Sequence, residues 1–157
     1  MPSLLHFQLS SKAFAISVDR VREILRMPSL TELPDGSLTR RGLLDLRGAV
    51  IPVYDVRPVL ALSPGPLGWD LRTDQYVLIL QCLGDGREVR AEAGIVADDV
   101  HGVLSVLPGD LSPVQMADVD IPVYQTVARV GPTLLTVLSV EGMVKAARVQ
   151  GAGRGPA

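Results

Sequence analysis

The stretch from Gly42 to Pro58, G-L-L-D-L-R-G-A-V-I-P-V-Y-D-V-R-P, constrains this chain more than any other. Two short runs of aliphatic and β-branched residues flank the dipeptide Arg47-Gly48, which predicts a β-hairpin. Gly48 supplies the positive φ that a tight hairpin turn requires. Asp45 and Arg47 are two apart, so on a strand they share one face. An acid and an arginine on one face, beside a turn and among aliphatics, have the character of a recognition surface rather than a catalytic centre.

The rest of the chain also reads as short strands and turns. Leu4 to Leu9 alternates, with Leu5, Phe7 and Leu9 on one face, and Ala13 to Ser17 returns after the turn Ser10-Ser11-Lys12. From Asp19 two patterns fit: a capped helical turn with Val21, Ile24 and Leu25 inward, or a strand through Val21, Glu23, Leu25 and Met27. Pro28 and Pro34 bracket a loop. Asp55 is expected to cap a short helix with Val56, Val59 and Leu60 inward and Pro58 in its first turn. Ala61 to Thr73, rich in Gly and Pro, reads as a linker between two lobes. Gln75 to Leu83 and Glu88 to Ala97 form a second hairpin around Gly84-Asp85-Gly86. Val100 to Leu107, Val123 to Val130 and Thr133 to Val140 are further strands. Ser139 caps a final helix with Val140, Met143, Val144 and Ala147 on one side, and Gly151 to Ala157 reads as a disordered tail.

A weak internal repeat runs through these elements. A-I-S-V-D-R-V (Ala15 to Val21) matches G-I-V-A-D-D-V (Gly94 to Val100), and the pattern V-x-x-[IV]-L follows in both copies. V-I-P-V-Y-D-V (Val50 to Val56) matches L-L-T-V-L-S-V (Leu134 to Val140). Matches in the same order imply duplication of a small β unit. Many short strands joined by Gly/Pro turns favour barrels over a flat sheet. Two such lobes meet at an interface, with a groove between them.

Composition narrows the function. The chain has 157 residues, is 47% hydrophobic and 20% charged, and carries a net charge of −2. That is ordinary for a folded domain and offers no global attraction to nucleic acid. Aromatic residues make up 4%, too few for stacking platforms on single strands. No apolar run approaches the ~20 residues of a membrane span, and the N-terminal residues lack a basic n-region, so a cytoplasmic protein without membrane insertion is expected. The single cysteine, Cys82, lies in an apolar run and reads as a core residue. His6 and His101 belong to no H-x-x-x-H pair, so no metal or cofactor is expected. Gly84-Asp85-Gly86 lacks the Lys-Ser/Thr of a phosphate loop, and no G-x-S-x-G elbow occurs. Asp98-Asp99 could suggest acid chemistry, but Asp98 occupies the repeat position of Asp19 and reads as a cap.

The opening stretch closely resembles the G-V-x-N-L-R-G-x-V-I-P-V-x-D-L-R signature of CheW-type chemotaxis coupling proteins. V-R-E-I-L-R-M-P (Val21 to Pro28), G-I-V-A-D-D-V-H-G-V-L-S-V (Gly94 to Val106) and the closing segment from Arg129 to Val144 resemble further segments of that family, in order. The resemblance implies an all-β fold with short helices: two pseudo-symmetric five-stranded SH3-like β-barrels packed together. Residues 1–150 then form one CheW-like domain. Its first barrel spans about 13–60 plus exchanged strands, its second about 75–140, and its terminal helix about 140–149. The resemblance also implies a non-enzymatic adaptor, without cofactor, that joins the cytoplasmic tip of a methyl-accepting chemoreceptor to the regulatory domain of a CheA-type histidine kinase. That kinase domain shares the fold, so the two can alternate in rings. A related adaptor serving pilus motility or another chemosensory-like pathway is the alternative, and a small β-barrel nucleic-acid-binding protein is a remote one. Val21, Glu23, Gly42, Arg47 and Val103 match the family's receptor-binding groove, while the kinase contacts are not assigned. Three departures stand out. Asp45 replaces the usual Asn before L-R-G, which makes it, beside Glu23, one of two candidate internal partners of Arg47. Ala61 replaces a common Gly, and Ser139 stands where an acid is frequent. The loop from Pro108 to Ile121 matches the family poorly.

Overall fold

The computed structural model describes residues 2–113 and 123–152. Eleven strands and one helix follow in order: β1 (Ser3–Leu9), β2 (Lys12–Ser17), β3 (Val21–Arg26), β4 (Arg40–Leu46), β5 (Ala49–Tyr54), β6 (Tyr76–Leu83), β7 (Val89–Ala97), β8 (Asp99–Ser105), β9 (Leu111–Pro113), β10 (Tyr124–Val130), β11 (Thr133–Leu138) and α1 (Val140–Ala152). They build two sheets, ordered β3-β6-β7-β5-β4 and β8-β1-β2-β11-β10-β9.

The duplication seen in the sequence governs this topology. Read along the two orders, β3, β6, β7, β5 and β4 correspond to β8, β1, β2, β11 and β10. The single parallel pairing in each sheet joins repeat-equivalent residues: Val53 opposes Gly94 in one, and Val137 opposes Ala15 in the other. After each of these strands the chain makes the same backbone bond, from Asp55 N–H to Thr39 O and from Ser139 N–H to Val123 O, both 2.7 Å. The sixth strand, β9, has only a vestige in the other barrel, where Thr31 bridges Leu43 of β4. That bridge also brings the segment after β3 against the opposite edge strand, so the five-stranded sheet curls closed.

Strand alternation splits the apolar residues between three cores. Val77 and Ile79 join Leu44, Ile51, Val53 and Val96 inside the five-stranded barrel. Leu4, Ala15, Val106, Ala128, Leu135 and Val137 fill the other barrel. The opposite faces of the same strands, among them Leu5, Phe7, Leu9, Leu78, Leu80 and Ile95, meet in the largest cluster, which α1 seals with Met143, Val144 and Ala147. Ser139 starts that helix as expected: its hydroxyl accepts the Gly142 N–H at 3.1 Å.

Several elements differ from expectation. Asp19 starts no helix. Val18–Arg20 is a single 3-10 turn without a side-chain cap, and the following residues form β3, with Arg22, Ile24 and Arg26 outward. Asp55 starts no helix either: residues 57–61 make one turn, closed by Leu60 N–H on Val56 O and Ala61 N–H on Pro58 O. The Gly/Pro-rich segment after Ala61 joins β5 to β6 within one sheet, so it does not link the lobes. Gly and Pro mark a loop but not the sheets at its ends. The chain instead changes sheets at 18–20 and at Asp98, two repeat-equivalent points, and β6 and β7, expected in the second barrel, complete the first. Helix α1 continues through Gly151 and Ala152, which were expected in the tail. Residues 114–122, most of the loop from Pro108 to Ile121, and residues 153–157 lie outside the described part of the chain.

Candidate partner-binding surface

The β4–β5 hairpin turns through Arg47-Gly48 with both residues at positive φ, 52° and 89°. This is a two-residue turn of the kind that matches strand twist. Asp45 helps to hold it, because its carboxylate accepts the Gly48 N–H at 3.0 Å. Asp45 does not pair with Arg47. Arg47 reaches across to β3 instead, where its Nη2 donates to Glu23 Oε2 at 2.7 Å. The arginine side chain is 65% exposed and the glutamate 29%. An ion pair this open contributes under about 1 kcal/mol to stability. Its charges are therefore available to a partner.

The other expected groove residues divide. Val21 opens β3 and is half-buried against the shared core. Its repeat mate Val100, on β8, packs against the same cluster. The two edge strands β3 and β8 thus flank the seam between the barrels. Val103 projects from β8 and is 60% exposed, and its repeat mate Ile24 on β3 is 41% exposed. Gly42 is buried, and a Cβ there would lie 2.7 Å from Thr31 O. It is a glycine because the Thr31–Leu43 bridge leaves no room for a side chain. Glu23 and Arg47 therefore meet, Val21 sits beside them on one barrel, Val103 belongs to the other, and Gly42 lies beneath the surface.

A second exposed feature follows from the duplication. Asp45 and Val50 face each other across the β4–β5 ladder, and Arg129 and Leu134 do so across the β10–β11 ladder. All four are exposed. The positions are repeat-equivalent, the aliphatics match, and the charges are opposite.

Behind the hairpin lies a polar network that the sequence pattern did not announce. Arg57 and Asp55, at 1% and 0% exposure, form a bidentate pair, with Nη2 to Oδ2 at 2.7 Å and Nε to Oδ1 at 3.0 Å. Burial pulls the Arg57 guanidinium down, but the Asp55 hydrogen bond and the charges of Asp55 and Asp98 outweigh it and leave the group raised. Trp69 stacks on Arg57, 5.1 Å from ring centre to guanidinium carbon. Asp98 is no helix cap. It accepts the Ser10 N–H at 2.6 Å and the Gln75 amide at 2.9 Å, and lies 3.3 Å from Arg72. Five separate segments are tied at this one node. The signal available was the spacing D-x-R in V-Y-D-V-R, which reads equally well as a cap followed by a solvated arginine.

His6 and His101 lie on neighbouring strands with ring centres 4.7 Å apart. Burial, and then the charge of His101, lower the His6 pKa. Among the described residues no three His, Cys, Asp or Glu side chains converge as metal ligands, and no helix is long and apolar enough to cross a membrane.

Comparison with known proteins places this geometry. A solved structure of the scaffolding protein TtCheW from Thermoanaerobacter tengcongensis superposes with a TM-score of 0.75, covering 91% of this chain and 88% of that one at 21% identity. The chain is similar to chemotaxis protein CheW of Thermotoga maritima, with 24% identity over 73% of this chain and 69% of the relative. It is also similar to CheW of Bacillus subtilis, with 27% identity over 77% and 73%. Protein PilI of Pseudomonas aeruginosa is 27% identical over 62% of this chain and 49% of its own length. The family model described as CheW-like domain matches residues 3–148, nearly the whole chain, and the chain therefore belongs to the CheW-like family.

Proposed function

We propose that this chain is a non-enzymatic adaptor that couples the cytoplasmic tip of a chemoreceptor to the regulatory domain of a CheA-type histidine kinase. Relatives named for chemotaxis and a solved relative described as a scaffold support the general role. The observation that carries the receptor contact is the Glu23–Arg47 pair, an exposed charge pair at the mouth of a seam edged by Val21 and Val103. A helical receptor tip docks in such a groove through aliphatic anchors, while the charges set register. Gly42 serves from beneath by letting β4 approach Thr31. No bond is made or broken, and the adaptor acts by biasing a two-state assembly.

The kinase domain shares the two-barrel fold, so a partner of that shape presents a pair of surfaces like the two exposed here. The Asp45–Val50 patch suits a partner's basic patch, and the Arg129–Leu134 patch suits an acidic one. Opposite charge at equivalent positions favours head-to-tail order over self-pairing of like ends. The PilI relative supports a second reading, in which the same coupling serves pilus-based motility.

The test is binding of a soluble receptor-tip fragment measured by calorimetry. Arg47→Glu is expected to weaken it at least tenfold while circular dichroism and the thermal midpoint stay unchanged. Undiminished binding by that variant removes the groove assignment.

A further inference from the structure

On the far side of the β6–β7 hairpin, a cavity of ≈ 300 Å³ opens between that hairpin and α1. Three cations line it: Arg90 from β7 and Lys145 and Arg148 from α1. All three are exposed. Most arginines of this chain sit within ion-pair distance of a carboxylate, but among the described residues these three cations do not. The acid in the lining, Glu141, is already engaged by Arg20 and by the Leu83 N–H. Glu88 stands nearby, yet its carboxylate packs over Gly84 beside the Arg90 stem and, among the described residues, makes no ion pair within 4 Å.

Cys82 lines the cavity too. Burial pushes its thiol up, against the opposing pull of Arg20 and Arg148, so it stays protonated at neutral pH and adds no negative charge. In a chain of net charge −2, this hollow gathers three cations against one lining carboxylate, Glu141, which is held by Arg20. Concave sites lined by one sign of charge focus the field on a ligand of the opposite sign.

The remaining wall is apolar. Leu83, Ala91 and the edge of Val144, itself a core residue, line the cavity, and Val89 and Val149, next in sequence to Arg90 and Arg148, are 51% and 53% exposed. A bare oxyanion uses the cations but leaves Leu83 and Ala91 uncovered. We propose that the cavity docks an acidic segment of a protein partner, one in which carboxylates flank an aliphatic side chain. The aliphatic group fills the space against Leu83 and Ala91, and the carboxylates reach Arg90, Lys145 and Arg148. This contact is separate from the groove at Glu23 and Arg47 and does not depend on the coupling function assigned to it.

Fluorescence anisotropy with a labelled peptide, a leucine flanked on both sides by glutamates, tests the proposal. The full chain is expected to bind it saturably, more weakly at high salt, and to ignore the counterpart with lysines for glutamates. The double variant Lys145→Glu/Arg148→Glu, and the milder Lys145→Gln/Arg148→Gln, should lose affinity at least tenfold with an unchanged thermal midpoint. Arg47→Glu and Arg129→Glu should leave peptide binding intact. Equal binding by the wild type and both double variants, or equal binding of the lysine peptide, overturns the proposal. Competition by inorganic phosphate as effective as that of the unlabelled peptide also overturns it, because the site is then a simple oxyanion site.

Discussion

Ala61 holds a φ of 56°, in the left-handed region, at the end of the turn that follows the Asp55–Arg57 pair. A Cβ there costs roughly 1–2 kcal/mol of local strain. The family's usual glycine pays no such penalty, although glycine gains freedom in the unfolded chain. Ala61→Gly is therefore expected to stabilise the protein by about 0.5–1 kcal/mol, read as a higher urea midpoint with an unchanged m-value. Arg47, at φ 52°, carries similar strain where its side chain reaches Glu23. The receptor contact proposed at that position accords with strain kept at an exposed residue. Motif alone located Arg47 as the residue of interest. It could not choose between Asp45 and Glu23 as the partner, because Asp45 is close in sequence whereas Glu23 becomes close only when β3 and the hairpin close one barrel. Gly42 was legible only as a match to the family's groove, and the contact that requires a glycine there, Thr31 O, comes from a loop with no pattern of its own.

At the scale of elements, short β-hairpins were readable and short helices were not. The β4–β5 and β6–β7 hairpins carry period-2 patterns and turn glycines, which are local signals. Asp19 and Asp55 also carry a local signal, an acid before aliphatics, yet neither starts a helix. At Asp55 the carboxylate does accept the Arg57 N–H at 3.1 Å, as a cap does. The guanidinium then folds back onto the same carboxylate, and burial of the pair sets the path of the chain. Breaking a buried ion pair leaves one charge uncompensated, at a cost of about 3–5 kcal/mol. Arg57→Met is expected to lose that much in urea denaturation, far more than Arg22→Met, whose partner Glu92 lies in an exposed pair. A loss below about 1 kcal/mol would mean that Arg41, 3.6 Å from the Asp55 carboxylate, compensates it without Arg57.

For the whole molecule, the largest core belongs to neither barrel alone. Phe7, Leu9, Leu78, Leu80 and Ile95, all fully buried, meet between the sheets. Burial at this seam couples the barrels, so they should unfold as one cooperative unit. Trp69, which packs on the five-stranded side, gives a fluorescence probe, and far-UV circular dichroism reports on both sheets. Their denaturation curves are expected to coincide, and Leu78→Ala should shift both together by about 2–5 kcal/mol. Two separated transitions would show barrels that are stable independently.

By itself, the sequence determined the class of fold, the duplication, most strand positions and the hairpin that presents Arg47. Those rest on periodicity, turn chemistry and repeated motifs, which act between residues near in the chain or equivalent in two copies. Only the tertiary structure decided that β6 and β7 complete the first barrel, that the chain changes sheets at 18–20 and Asp98, and that Arg47 pairs with Glu23. It alone assembled the Asp55–Arg57–Asp98 node and the cationic hollow under α1. These features join residues far apart in the chain, and their energy depends on burial and distance, which no local pattern encodes.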